Sequence, residues 1–454
     1  MSLGFIGGFV RPVVWQIDVD KRESAAAPEG GFRASVSLLR RNRDFRHVYL
    51  ASLISLGGDW FLLVALFGLV LDLTGSGIDV ALLLAAQDLT YFAMSPLGGM
   101  LADRLDRRRL MVVADLARAG LCIGFLFLRT DSVLWLVYVL LAAMASFSAV
   151  FEPCSAAALP NLVEEDDLAT ANALSGSLWG TMLAVGAALG GAVTAIFGRD
   201  AAIVIDSVSF LASAALIIGI HRSFSEERQG EHPGLRQATT ETLHYARKDH
   251  RVLALLAVKF GWGIAGGVLV VIPLLARNVF HAGDVGIGLL LAARGVGAVI
   301  GPFAGRSALG PKDRRIFNTI GVALAVFGVG YLLVGLAPGL LLALPAVALA
   351  HVGGGAQWTL SSYGLQRIVP DHIRGRIFAF DGMLVTLTFG LSAVLTGWLA
   401  DHLHARPTAM GMGLIALIWA ATWSLLTTDV RRATMLEGCG QAPPEDGPDP
   451  VAAA

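Results

Sequence analysis

Three acidic side chains, Asp59, Asp88 and Glu152, stand inside long apolar stretches of a 454-residue chain. A charge in the hydrocarbon of a membrane costs about 2.5 kcal/mol or more, so an acid kept there is a functional group by default. The chemistry within reach of such an acid is proton exchange. An apolar site holds the proton on a carboxyl, and an approaching cation releases it. Asp59 lies in the sequence GGDW, where two glycines leave room for a solute or for water. Trp60, Gln87, Lys259, Arg294, His351, Gln357 and Trp358 share the same apolar setting and are candidates to line a solute cavity. His351 suits either a proton-carrying role or that of a satisfied core histidine. A structural reading of Asp59 requires a permanent cationic partner, with Lys259 or Arg294 available. Asp115 and Arg118, three apart, share a helix face and read as a structural pair. Asp206 falls near the end of its apolar stretch, within reach of water.

Other chemistries lack their residues. No His/Asp/Glu or Ser/His constellation gathers at one end of the apolar segments, so no catalytic residue is expected. Cys122, Cys154 and Cys439 stand far apart without metal-ligand spacing, which predicts neither zinc nor disulfides. None of the four lysines follows a glycine, so a Gly-Lys-Ser/Thr phosphate loop is missing and no ATP site is expected. No cofactor, metal or nucleic acid is expected as a partner.

The elements that position the acids follow from hydropathy. Hydrophobic residues make up 55% of the chain and charged ones 15%, with a mean hydropathy of +0.66. Soluble domains carry about a quarter charged residues. The apolar runs predict twelve membrane-spanning helices. Six lie near 46–71, 79–102, 109–128, 132–159, 169–197 and 201–220. Six more lie near 252–280, 284–306, 316–336, 339–368, 374–400 and 408–427. The fold class is therefore an all-α membrane protein, with an N-terminal half over 41–220 and a C-terminal half over 252–430. Residues 221–251 form a polar linker whose second part suits a short amphipathic helix. Residues 1–40 and 431–454 read as disordered; the apolar start MSLGFIGGFV is too short to span and lacks the basic start of a signal peptide.

A shift of 206 residues superposes the halves without gaps. It lays Pro96 on Pro302, Arg108-Arg109 on Arg314-Arg315, Val163 on Val369 and Gly191 on Gly397. It also lays Asp88 on Arg294, so opposite charges occupy equivalent places. Two parallel six-helix halves follow. Lys and Arg crowd one set of loops, 23 against four (Arg129, Arg199, Arg277 and Arg406) on the other. By the positive-inside rule both termini are cytoplasmic, in a multi-pass protein of the plasma (inner) membrane.

Residues 99–108, GMLADRLDRR, resemble the signature loop G-x-x-x-D-R-x-G-R-R of the major facilitator superfamily. The resemblance implies a conformational latch in which Asp103, at the end of the second span, contacts the start of the eleventh. The residues concerned are Gly99, Asp103, Arg104, Arg107, Arg108, Arg374 and Arg376. Asp106 departs from the pattern, where the family usually has glycine. Leu309 stands at the position equivalent to Asp103, so the implied latch is asymmetric. Residues 186–191, GAALGG, resemble the antiporter signature G-P-x-x-G-G with Ala187 in place of proline; helix packing through small residues explains the same pattern. FEPCSAAALPNLVEEDDLATANAL, IDSVSFLASA and VPDHIRGRIFA resemble the branch that includes macrolide-efflux pumps and enterobactin exporters, over about residues 40–430. The resemblance implies a secondary transporter, a monomer, that exports an amphiphilic small molecule (a drug, siderophore or secondary metabolite) in exchange for protons. An importer or lipid flippase of the same fold is the alternative, and a membrane-embedded enzyme or receptor the reading from another class.

Overall fold

The computed structural model describes residues 31–128, 130–220, 222, 224, 244–309 and 315–431. Among them are twelve helices long and apolar enough to cross a membrane. In the first half these are α1 (Arg43–Thr74), α2 (Gly77–Arg104), α3 (Arg107–Gly124), α4 (Leu134–Leu162), α5 (Leu168–Phe197) and α6 (Arg199–Ile218). The second half holds α7 (His250–Val279), α8 (Gly283–Ala308), α9 (Ile316–Leu336), α10 (Leu340–Ile368), α11 (Asp371–Leu403) and α12 (Ala405–Leu426). Large apolar side chains such as Val113, Val208, Leu333 and Ile418 face outward, as lipid requires.

The equivalent positions of the repeat fall at equivalent places. Val163 ends α4 and Val369 ends α10, each in extended conformation. Pro96 lies inside α2 and Pro302 inside α8. Arg109 is in the first turn of α3, and Arg315 is the cap residue before α9; Arg314 lies outside the described residues. Residues 31–41, which include part of the segment expected to be disordered, form a helix. Its fully buried Leu38 packs with Phe45, Leu159, Val163 and Ala171, and this apolar anchor holds the segment in place.

Small residues decide which helices touch. Without a hydrophobic force between helices in lipid, close backbone approach is what binds them. A Cβ at Gly98 would run into the carbonyl of Ala149, so this glycine brings α2 against α4. Gly297 and Gly301 do the same for α8 against α10. The halves meet along two related seams. On one, Gly191 of α5 faces Gly288 of α8, a Cβ on either coming within 2.9 Å of the other backbone. On the other, Gly397 of α11 packs on Gly77, Ile78 and Ala81 of α2. Gly191 and Gly397 are the pair related by the 206-residue shift.

The helix α7 is broken. A 3-10 turn at Ala265–Gly267 and a π turn at Leu275–Val279 interrupt it. Interrupted backbone in a membrane needs outside partners, and Ser392 of α11 supplies them. The Gly267 N–H donates to Ser392 Oγ at 3.0 Å, and that hydroxyl donates in turn to the Ile264 carbonyl.

Gly98→Ala should therefore lower thermal stability in detergent, by about 1–3 kcal/mol of overpacking. Gly99→Ala, where a Cβ meets nothing within 4 Å, should leave the melting temperature unchanged. Equal melting temperatures for the two variants would refute the packing role assigned to Gly98.

Candidate functional site

A cavity of about 790 Å³ lies between the halves, enough for a drug-sized solute. Asp59 and Trp60 reach it from α1, Gln87, Asp88 and Tyr91 from α2, and Glu152 from α4. The second half contributes Arg294 from α8, His351 and Trp358 from α10, and Phe389 from α11. The acids all come from one half and Arg294 from the other. Aromatic contacts frame the space: Trp60 against Trp179 at 6.3 Å, and Trp262 against Trp358 at 5.3 Å and Phe389 at 5.2 Å. The indole N–H groups of Trp60 and Trp262 are buried there without hydrogen-bond partners.

The acids differ in how they are held. Among the described residues, Asp59 and Asp88 make no ion pair, and Glu152 accepts a hydrogen bond from Tyr91. Asp115 is tied to Arg118, as its spacing predicts, and accepts from Ser213 at 2.6 Å. Arg118 also lies over the rings of Phe210 and Phe151, at 4.4 and 4.7 Å. Neither Lys259 nor Arg294 forms an ion pair with Asp59.

Several expected placements are corrected. Lys259 does not face the cavity; it is 4% exposed and pairs with Asp381 of α11. Ser362 accepts from it at 2.9 Å, and the Trp358 ring lies 4.5 Å away. An ammonium at that depth is drawn to the nearest carboxylate, and α11 provides one. Gln357 is 1% exposed and sits behind the wall with its amide unpartnered. Asp206 is fully buried and accepts hydrogen bonds from Cys122 and Ser209, because it turns inward between α1 and α3. His351 lines the cavity, and its Nε2 is hydrogen-bonded to the Tyr331 hydroxyl at 2.9 Å. The satisfied arrangement is the one found.

On the face away from the arginine-rich loops, polar contacts join the halves. Asp401, near the end of α11, accepts from Ser76 Oγ at 2.9 Å and from the N–H groups of Gly77 and Ile78. A carboxylate there satisfies orphan donors at the start of α2 and complements its dipole. Beside it, Arg199 bridges Asp72 and Asp284, and Arg277 pairs with Asp72 and donates to the Gly68 carbonyl at 2.8 Å. The cavity lining reaches the other way, through Gly176 and Ser177 of α5 and Pro302 and Phe303 of α8.

Residues 35–439 match the family described as transmembrane secretion effector. The chain belongs to that family, a branch of the major facilitator superfamily. It is 24% identical over 369 residues to a macrolide efflux protein of Streptococcus pyogenes, covering 79% of this chain and 90% of that one. It is 29% identical over 429 residues to an enterobactin exporter of Citrobacter koseri, covering 88% and 95%. In fold it is similar to a bacterial homologue of the human lysosomal transporter Spinster, crystallised inward-facing and unoccupied. The TM-score is 0.69 at 14% identity, over 88% of this chain and 98% of that one. The chain is a multi-pass membrane protein of a transporter family.

The superfamily's signature loop can be followed residue by residue. The side chain of Asp103 lies outside what is described, and Arg104 is exposed. Arg107 is buried and donates to the carbonyls of Ala102, Ala157 and Phe224 at 2.9–3.1 Å. Arg108 donates to Ile218, and Arg374 to Val369 at 3.0 Å. Arg107 and Arg108 thus bind α2, α4 and α6 of one half together. Asp106 caps α3 by accepting from the Arg109 N–H at 2.8 Å. Its φ of −63° needs no glycine, so the departure from the pattern adds a cap without distorting the turn. Of the two adjacent glycines the closely packed one is Gly98, whereas Gly99 faces open space. Within the antiporter-like stretch, Gly186 and Gly190 meet Trp60 and Phe61 of α1 and Gly191 meets α8, so these glycines serve helix contact.

Sequence reasoning missed Asp381, an intramembrane acid as plain as Asp59, and missed Trp179, Trp262 and Tyr91 as wall residues. It also missed the charges that join the halves, since Asp72, Arg199, Arg277, Asp284 and Asp401 read as ordinary loop charges.

Asp381→Ala should destabilise the protein by about 3–5 kcal/mol by leaving Lys259 buried without its counter-charge. Replacing both, with Lys259→Met and Asp381→Leu, should recover most of that loss in thermal unfolding. A double variant no more stable than Asp381→Ala would show that the pair is not the origin of the effect.

Proposed function

We propose that the protein is a proton-coupled exporter that moves an amphiphilic small molecule out of the cell. The observation that carries this is the cavity between the halves, whose acids Asp59 and Asp88 stand in an apolar wall without ion-pair partners. Structural acids of this chain, Asp115 and Asp381, hold a cation permanently. Asp59 and Asp88 are left available to exchange one. A protonated acid is neutral and tolerates the apolar site; a cationic solute or a change of access drives the proton off.

Alternating access follows from the two seams. With the far face joined through Asp401 and the Arg199–Asp284 and Arg277–Asp72 pairs, the cavity serves the arginine-rich side. Rocking the halves about the α5–α8 and α2–α11 seams breaks those contacts and opens the far face. In this reading Asp103, with Arg374 and Arg376, is the contact that the signature loop implies for closing the arginine-rich face. In this reading both termini are cytoplasmic, as the excess of arginine on one face supports, and the membrane is the plasma membrane. One chain completes the cavity, so a monomer suffices. No ATP or cofactor takes part, and the solute leaves chemically unchanged. The macrolide and enterobactin exporters among its relatives support outward transport of bulky solutes.

In proteoliposomes with an imposed pH gradient, Asp59→Asn should abolish accumulation of a macrolide while leaving its binding measurable and independent of pH. Asp115→Asn, altering a paired acid, should cost stability before it costs coupling. Wild-type accumulation by Asp59→Asn would remove Asp59 as the coupling acid.

A further inference from the structure

Arg294 is the one cationic side chain of arginine or lysine in the cavity wall among the described residues, and it is 2% exposed. Its Nε and Nη1 donors have no hydrogen-bond partner. Asp88 faces the same cavity, yet the two make no ion pair within 4.0 Å. The guanidinium carbon lies 5.2 Å from the centroid of the Trp179 ring. Tyr331 is hydrogen-bonded to His351 and makes no hydrogen bond with Arg294.

A buried guanidinium with idle donors is costly unless something completes it. Two other cations buried within the spans have carboxylate partners: Arg118 has Asp115 and Lys259 has Asp381. Arg294 has no ion pair, and its contact with the Trp179 ring leaves the Nε and Nη1 donors unused. The position is also fixed. Gly297 packs on Ala348 and His351 of α10 in the same half, which holds this part of α8 in place.

We infer that Arg294 is an oxyanion subsite, binding the carboxylate or phosphate group of an amphiphilic ligand whose apolar body lies on Trp60, Trp179, Trp262 and Trp358. The planar fork of arginine matches such a group with two parallel hydrogen bonds. Because the acids belong to one half and Arg294 to the other, a ligand held at Arg294 and packed against α1 bridges both halves. Its occupancy then bears on the seams along which they rock. Asp88 in the same wall bears on selectivity: when ionised, it repels a second negative charge and favours amphiphiles with a single anionic group, or zwitterions.

The inference rests on the transport reading for the reason a solute enters the cavity. Its test uses binding alone, without a gradient, so a failure here leaves outward transport, read from vesicles, to stand or fall separately. The probes are pyrenebutyrate and its neutral isostere pyrenebutyramide, read by energy transfer from tryptophan to pyrene on the full chain in phosphatidylcholine nanodiscs. The wild type should bind the carboxylate at least about tenfold more tightly than the amide, the scale of a charge-assisted hydrogen bond. Arg294→Gln should erase that preference and leave amide binding intact, which also reports the fold. Should Arg294→Gln lose both probes, Arg294→Lys decides: a retained carboxylate preference upholds the subsite, and equal binding overturns it. Equal binding by the wild type, or an undiminished preference in Arg294→Gln, overturns it as well. Adding phosphatidylglycerol to the nanodiscs separates the sources of the anion. Competition assigns the subsite to a lipid phosphate, and its absence assigns it to a soluble amphiphile.

Discussion

The Asp401 carboxylate at the N-terminus of α2 shows what the rest of the structure depends on: in an apolar solvent every charge needs a counterpart, and the counterparts lie on other helices. Asp401 sits near the C-terminal end of its own helix, where the helix dipole opposes it. The start of α2, with its unpaired N–H groups, offers what α11 cannot. Joining them brings the two halves together at one face. Arg199 and Arg277 add to that closure through Asp72 and Asp284, which belong to different halves.

The same logic relates the two faces of the membrane. The superfamily latch would set Asp103, at the end of α2, against the start of α11. The contact present here is its counterpart, with Asp401 at the end of α11 against the start of α2. Asp401 is a carboxylate that its own helix destabilises, so it gains most when the halves meet at that face.

Packing makes that rocking possible. The seams between halves run through Gly191 with Gly288 and through Gly397 with Gly77. Smooth backbone surfaces slide and tilt more readily than interlocked side chains. Within each half, by contrast, directional contacts such as those of Arg107 with the Ala102 and Ala157 carbonyls fix the helices as a block. Asp59, Asp88, Glu152 and Arg294, which make no ion pair, line the cavity between the halves.

Much of this was legible in the sequence, because span length, loop charge and the 206-residue repeat are properties of local composition. Twelve long apolar runs dictate twelve helices, since a backbone in lipid has no other partner for its N–H groups. Acids inside those runs are conspicuous for the same reason. Which helix face meets the cavity was not legible, because lipid-facing and core-facing residues are equally apolar and the pattern carries no sign of direction. Lys259 and Gln357 were therefore assigned to the cavity, and Asp206 to water. Tertiary structure alone decided that Lys259 meets Asp381, 122 residues away, that Asp401 meets the start of α2, and that Arg294 and Asp88 share a cavity without forming an ion pair. Electrostatic partners are chosen by distance in space, and composition along the chain does not contain that distance.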